Sequence, residues 1–115
     1  MRWKVVATPR FAIWFERLGR EERVQLLALF ELIEDRGPNL SRPYSDSIKG
    51  SLLISNLKEL RAQILGRPYR VFYAFDESRN AVLLCGGVKD GSKAKRFYTK
   101  MIALAEVAMT EYKRN

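Results

Sequence analysis

The stretch NLKELRAQILGRPYRVFYAF, residues Asn56 to Phe75, decides how the chain folds. Apolar and polar residues alternate on either side of Gly66, the pattern of two half-buried strands joined by a tight turn. With Gly66-Arg67 as a two-residue turn, Ile64 pairs with Tyr69, Ala62 with Val71 and Leu60 with Tyr73. One face is then wholly apolar or aromatic. The same register sets Gln63 against Arg70 and Arg61 against Phe72, so both arginines emerge together on the opposite face. A three-residue loop would separate them and mix the apolar set. Because a one-residue slip turns a strand inside out, burial favours the two-residue turn.

Upstream of this hairpin, Trp3 to Ala7 is short and β-branched, and Thr8-Pro9 supplies a helix N-cap followed by proline at the first helical position. Phe11, Trp14, Phe15 and Leu18 then recur at helical spacing up to Gly19. A second helix is expected from Glu21 to Arg36, stopped by Gly37-Pro38. Its apolar set, including Val24, Leu26, Leu27, Phe30 and Ile33, is too wide for one stripe and predicts packing on two sides. Asn39 to Ser55, with Pro43, Gly50 and five serines, reads as a long connection.

Downstream, Asp76 to Asn80 forms a turn, and Ala81 to Cys85 is apolar on both faces, as in an interior strand. Gly86-Gly87 is expected to end or kink it, and Val88 to Ser92 to connect to a helix from Lys93 to Tyr112. Phe97, Met101, Leu104, Ala105 and Ala108 recur there at helical spacing. The order β-α-α-β-β-β-α predicts one α+β domain over residues 1–115: an N-terminal helical hairpin on a mainly antiparallel sheet, with a C-terminal helix.

The formal charge of +8, from 21 Lys and Arg against 13 Asp and Glu, favours polyanionic partners such as nucleic acid or an acidic protein. The start MRWKVVATPRF lacks a signal peptide's apolar core and no run reaches membrane-spanning length, so a cytoplasmic protein without membrane partners is expected. Cys85 is alone, which excludes an internal disulfide and a cysteine metal motif. Histidine is absent altogether, removing the commonest general acid/base and the commonest neutral metal ligand. There is no phosphate-binding glycine loop either, and no metal or other cofactor is expected. Any catalysis must use Lys, Arg, Tyr or carboxylates.

Arg61 and Arg70, Lys89 beyond the interior strand, and Lys93, Lys95, Arg96 and Tyr98 opening the last helix can converge on one surface, with Lys58 at the start of the hairpin. Arginine offers phosphate a planar fork of donors and lysine a mobile point charge. Phe72 or Tyr98 is placed to stack on a splayed base, and Glu59, Asp76 or Asp90 to form weak surface bridges with the arginines.

The strings LKELR (Leu57 to Arg61), GRPYRVFYAFD (Gly66 to Asp76) and AVLLCGGVKDGSKAKRFY (Ala81 to Tyr98) closely resemble phage-derived HigB-like toxins of the RelE/ParE superfamily over nearly the whole chain. The resemblance implies the RelE-like fold, with its helical hairpin against a curved sheet. It also implies a type II toxin that cuts messenger RNA on the translating ribosome without a metal, by attack of the ribose 2′-oxygen to leave a cyclic phosphate. Its partners would be a cognate antitoxin, expected to carry a helix-turn-helix domain and to form a hetero-oligomer with the toxin, and the ribosome. The site residues it implies are Arg61, Arg70, Lys89 and Tyr98, with Lys58, Phe72, Lys93, Lys95 and Arg96 gripping RNA. Losing one catalytic group is expected to cripple the enzyme without unfolding it. A ParE-like inhibitor of DNA gyrase and a non-catalytic RNA-binding module are the alternative readings.

Overall fold

The computed structural model of the chain describes residues 2–91 and 93–115. Along them run β1 (Lys4–Ala7), α1 (Pro9–Glu16), α2 (Arg20–Arg36), a single 3-10 turn at Gly37–Asn39, β2 (Ser45–Ser47), β3 (Lys58–Ile64), β4 (Arg67–Phe75), β5 (Asn80–Val88) and α3 (Ala94–Arg114). The sheet order is β1-β5-β4-β3-β2, with β1 parallel to β5 and every other pair antiparallel. Ser92, the last residue of the expected connection before α3, lies outside the described residues.

α1 and α2 cover one face of the sheet and α3 the other. Phe11, Leu26, Phe30 and Ile33 pack on Leu60, Ile64, Val71 and Tyr73. On the far face Met101, Ala105 and Ala108 pack on Phe72, Ala74, Val82 and Leu84. With a helix layer on each side, β4 and β5 bury both of their faces, and this is why Ala81 to Cys85 is continuously apolar.

Thr8 caps α1 as expected, its hydroxyl accepting from the Phe11 amide at 3.3 Å and donating to the Leu83 carbonyl at 2.9 Å, which ties the helix start to β5. Gly86-Gly87 does not end β5, which continues to Val88. The glycines make room instead: a Cβ on Gly86 would lie 2.3 Å from the Trp14 ring of α1, and one on Gly87 3.2 Å from Phe97 of α3.

The central hairpin turns one residue earlier than expected. The turn is Leu65-Gly66, with φ of +52° and +77°, not Gly66-Arg67. Both central residues of the primed hairpin turn take positive φ, and Leu65 bears the strain there. The pairs become Leu60 with Val71, Arg61 with Arg70 and Ala62 with Tyr69. A register moved by two residues keeps every side chain on its face, so burial could fix the parity of the register but not its value.

Two other expectations change. The long connection contains β2, which pairs with β3 and sets the Ser45 hydroxyl 2.6 Å from that of Tyr73. α2 packs on one side only: Leu26, Phe30 and Ile33 are buried, while Val24 and Leu27 are about half exposed, at 49% and 51%.

Candidate active site

On β3, Glu59 and Arg61 are two residues apart and so share a face, the one covered by α3. Arg70 on β4 is Arg61's direct partner across the hairpin. Like charges opposed across an antiparallel pair are destabilising by themselves. Glu59 removes the conflict. Its Oε2 accepts from Arg61 Nη1 at 2.6 Å, and its Oε1 lies 3.6 Å from Arg70 Nε. Arg70 Nη1 donates to the Tyr69 carbonyl at 2.9 Å, while its buried Nε has no hydrogen-bond partner.

The first turns of α3 complete the arrangement. The Tyr98 hydroxyl donates to Glu59 Oε1 at 2.6 Å. Burial raises the Tyr98 pKa, and the hydrogen bond to and charge of Glu59 raise it further against an opposing pull from Arg70, so the phenol is held as a protonated donor. Lys89, just beyond β5, sets its Nζ 5.9 Å from the centre of the Tyr98 ring. Arg61, Lys89 and Tyr98 line an open groove of about 400 Å³ together with Arg42, Lys49, Asp46 and Glu59.

The expected residues therefore separate. Arg61, Arg70, Lys89 and Tyr98 come together, but not equivalently: the Arg61 side chain is 22% exposed and that of Arg70 only 7%, sealed behind Glu59. Lys93, Lys95 and Arg96 are exposed at the start of α3, outside the groove lining and without a carboxylate within 4.0 Å among the described residues.

Two expected RNA contacts are not available. Phe72 is fully buried, its ring 6.2 Å from that of Phe97 and 5.9 Å from that of Tyr98, and offers no face to a base. Lys58 belongs to the opposite face of β3, where its Nζ donates to the Pro38 and Leu40 carbonyls at 2.9 and 2.5 Å. Burial lowers its pKa, and the ammonium serves to pin the segment after α2 to the sheet.

Sequence reasoning treated Glu59 as one of several weak surface partners, whereas it is 3% exposed and central. Its two-residue spacing from Arg61 was the available signal. Arg42 and Lys49 were missed because the connection carrying them has no periodicity. Among the described residues no group of three or more acidic, cysteine or histidine side chains could hold a metal. The groove sets the cations Arg42, Lys49, Arg61 and Lys89 and the Tyr98 phenol beside two carboxylates that are already paired, Asp46 with Arg42 and Glu59 with Arg61, which leaves a net positive surface suited to an oxyanion.

This fold, with a cationic groove between the hairpin and the last helix, defines the RelE-like class of small basic α+β proteins. The chain aligns with Escherichia coli toxin RelE, solved as a double arginine mutant in the free state, at a TM-score of 0.61 and 16% identity, covering 89% of this chain and 99% of that one. A chain of the RelBE2 toxin-antitoxin complex of Mycobacterium tuberculosis aligns at a TM-score of 0.59 and 14% identity, covering 76% of this chain and 99% of that one. In sequence, residues 13–110 match the family of phage-derived proteins like Gp49.

The HigB3 toxin candidate of Mycobacterium tuberculosis is 37% identical over 102 residues, 89% of this chain and 86% of that protein. The HigB2 candidate of the same organism is 35% identical over 104 residues, and there the chain spans 90% of its own length but about half, 51%, of the relative's. The chain belongs to the Gp49-like family, and it is a HigB-type toxin of a type II toxin-antitoxin system.

Proposed function

We propose that this toxin is a metal-independent endoribonuclease that cuts messenger RNA on the translating ribosome. The observation that carries the reading is the convergence of Arg61, Lys89 and Tyr98 on one open groove, with the largely buried Glu59 at its floor and Arg70 behind it. A messenger strand lying in the groove would present a phosphodiester to Arg61 and Lys89. Attack by the ribose 2′-oxygen, whose proton passes to solvent water or hydroxide, forms a new P–O bond and breaks the bond to the 5′-oxygen, which takes up a proton, leaving a cyclic phosphate and a 5′-hydroxyl. The phosphorane-like transition state carries more negative charge than the ground state, so fixed cations stabilise it preferentially. Lys89, the mobile ammonium at the rim, is the candidate acid for the leaving 5′-oxygen, and Tyr98 a second donor. Lys93, Lys95 and Arg96 extend the positive surface along the strand's path, adding affinity that falls with salt.

The antitoxin partner belongs to the same proposal: a cognate protein, with a helix-turn-helix domain, that covers part of this basic surface. Its acidic groups would complement the +8 charge.

The test is a cell-free translation reaction with messenger ends mapped by primer extension. Wild-type protein should generate new ends only when ribosomes are present, and Lys89→Ala should reduce them by about a hundredfold or more. Intact messengers with a folded wild-type protein would refute the nuclease, and inhibition of gyrase supercoiling in the same preparation would replace it.

A further inference from the structure

We infer that Glu59 is the positioning residue of this groove: a buried carboxylate at its floor that holds Arg61 and Tyr98 in place and moderates the positive charge of the site. The inference rests on the nuclease reading for its catalytic consequence, but its geometry stands independently.

Glu59 is 3% exposed, and both of its oxygens are engaged, Oε2 by Arg61 at 2.6 Å and Oε1 by the Tyr98 hydroxyl at 2.6 Å. It lines the floor of the groove, but with both oxygens already accepting hydrogen bonds it presents no free oxygen to a substrate, so its role is to hold its neighbours. What it does is fix two groups that can reach a substrate. Arg61 uses Nη1 on the carboxylate, which leaves the rest of its planar fork toward the groove. Tyr98 enters from α3, 39 residues further along the chain, so one side chain of β3 couples the helix to the hairpin at this point.

The third neighbour explains the charge. Arg70 Nε stays buried 3.6 Å from Oε1 without a hydrogen bond, because Tyr98 occupies the closer approach. Arg70 therefore acts on Glu59 through its charge and not through a hydrogen bond. In formal charges Arg61, Arg70, Lys89 and Glu59 sum to two positive, and to three with Arg42, Lys49 and Asp46 of the same groove, so Glu59 lowers an excess of positive charge by one. A phosphodiester carries one negative charge and the phosphorane formed by an alkoxide carries two. Without Glu59 the site would bind the ground-state anion with a larger excess of positive charge and would lose the orientation that favours the transition state.

Glu59→Gln tests this with little change of shape. An amide presents one acceptor oxygen and, in place of the other, a donor, so Arg61 or Tyr98 must lose its anchor. The full chain is assayed in cell-free translation for kcat and KM of messenger cleavage. In parallel the Tyr98 phenol is titrated by NMR of ring-labelled tyrosine, assigned with Tyr98→Phe. Expected are a kcat lower by about a hundredfold, a misplacement effect, with KM nearly unchanged, and a Tyr98 that ionises at lower pH than in the wild type.

Wild-type kcat in Glu59→Gln, or a Tyr98 titration that does not move, overturns the inference. If wild-type protein cuts no messenger, the nuclease reading fails on its own and the titration decides alone whether Glu59 holds Tyr98. Should Glu59→Gln fold poorly, Glu59→Gln/Arg70→Gln removes both buried charges together and is put through the same two measurements.

Discussion

Arg70→Ala and Arg61→Ala should differ sharply in stability although the two arginines are paired across one hairpin. Arg70 has a side chain 7% exposed and faces a carboxylate that is 4% exposed, 3.6 Å away. At that distance the attraction is about 5 kcal/mol for an effective dielectric constant near 20. Truncation removes it, leaves Glu59 with Arg61 as its one remaining cation within reach, and opens a void that water enters poorly. Breaking a buried pair from one side costs about 3–5 kcal/mol. Because Arg61 still bonds Glu59, the lower end applies, about 3 kcal/mol, or roughly 10 °C in Tm for a chain of this size. Arg61 is 22% exposed and its removal lets solvent reach Oε2, so its loss should cost only about 1 kcal/mol. Thermal and urea unfolding followed by far-UV circular dichroism would measure both. The reasoning fails if Arg70→Ala loses less than about 1 kcal/mol or if Arg61→Ala loses as much as Arg70→Ala. The sequence alone suggested that either arginine could be removed without unfolding the protein; burial now separates them, and Arg61 and Lys89 are the positions at which lost cleavage reports on chemistry.

Leu65→Asn should stabilise the fold by up to about 1 kcal/mol, since asparagine tolerates the left-handed conformation that Leu65 adopts at φ +52° beside Gly66, and Leu65 is 68% exposed with little packing to lose; a lowered urea midpoint would contradict this. Burial pushes the Cys85 thiol up to about 12, and burial also pushes the Tyr73 phenol up to about 12 despite the hydrogen bond with Ser45. Both groups keep their protons in the folded state at a pH where the unfolded chain would release them. Their contribution is therefore fully present below about pH 9 and is lost as pH rises toward 12. Native protein at pH 8 should leave Cys85 unmodified by a thiol reagent until it unfolds, and stability should fall progressively above pH 9; rapid labelling at pH 8 or a flat alkaline limb would refute the assignment.

The hairpin was legible because alternation is a local property: Leu60, Ala62 and Ile64 on one face and Arg61 on the other can be counted from the chain. The value of the register was not, since the strained Leu65-Gly66 turn and the expected Gly66-Arg67 turn bury the same set of side chains. Alternation also says which face a residue takes but not what covers that face. Arg61 and Arg70 looked equally exposed until α3 was laid over the sheet, and α3 enters the site through Tyr98, far along the chain from either arginine. The same limit hid the roles of Lys58 and Phe72. Both were assigned from residue type, and both were decided by partners brought in by the tertiary fold, the carbonyls of Pro38 and Leu40 in one case and the ring of Phe97 in the other.

Glu59 shows where a better reading was possible. A carboxylate two residues from Arg61 on the same face reaches that arginine in either register, and the observed register, with Arg70 opposite Arg61, brings the second arginine diagonal to it as well. On a face that a helix must cover, those charges can be buried only as a mutually paired cluster. The presence of Arg61 and Arg70 therefore implied an internal anion before it implied an external one. The groove is the part of that cluster left uncovered, where Arg61, Lys89 and Tyr98 still face solvent, and it is there, on the open side of a charge arrangement settled within the protein, that a phosphate has a place to bind.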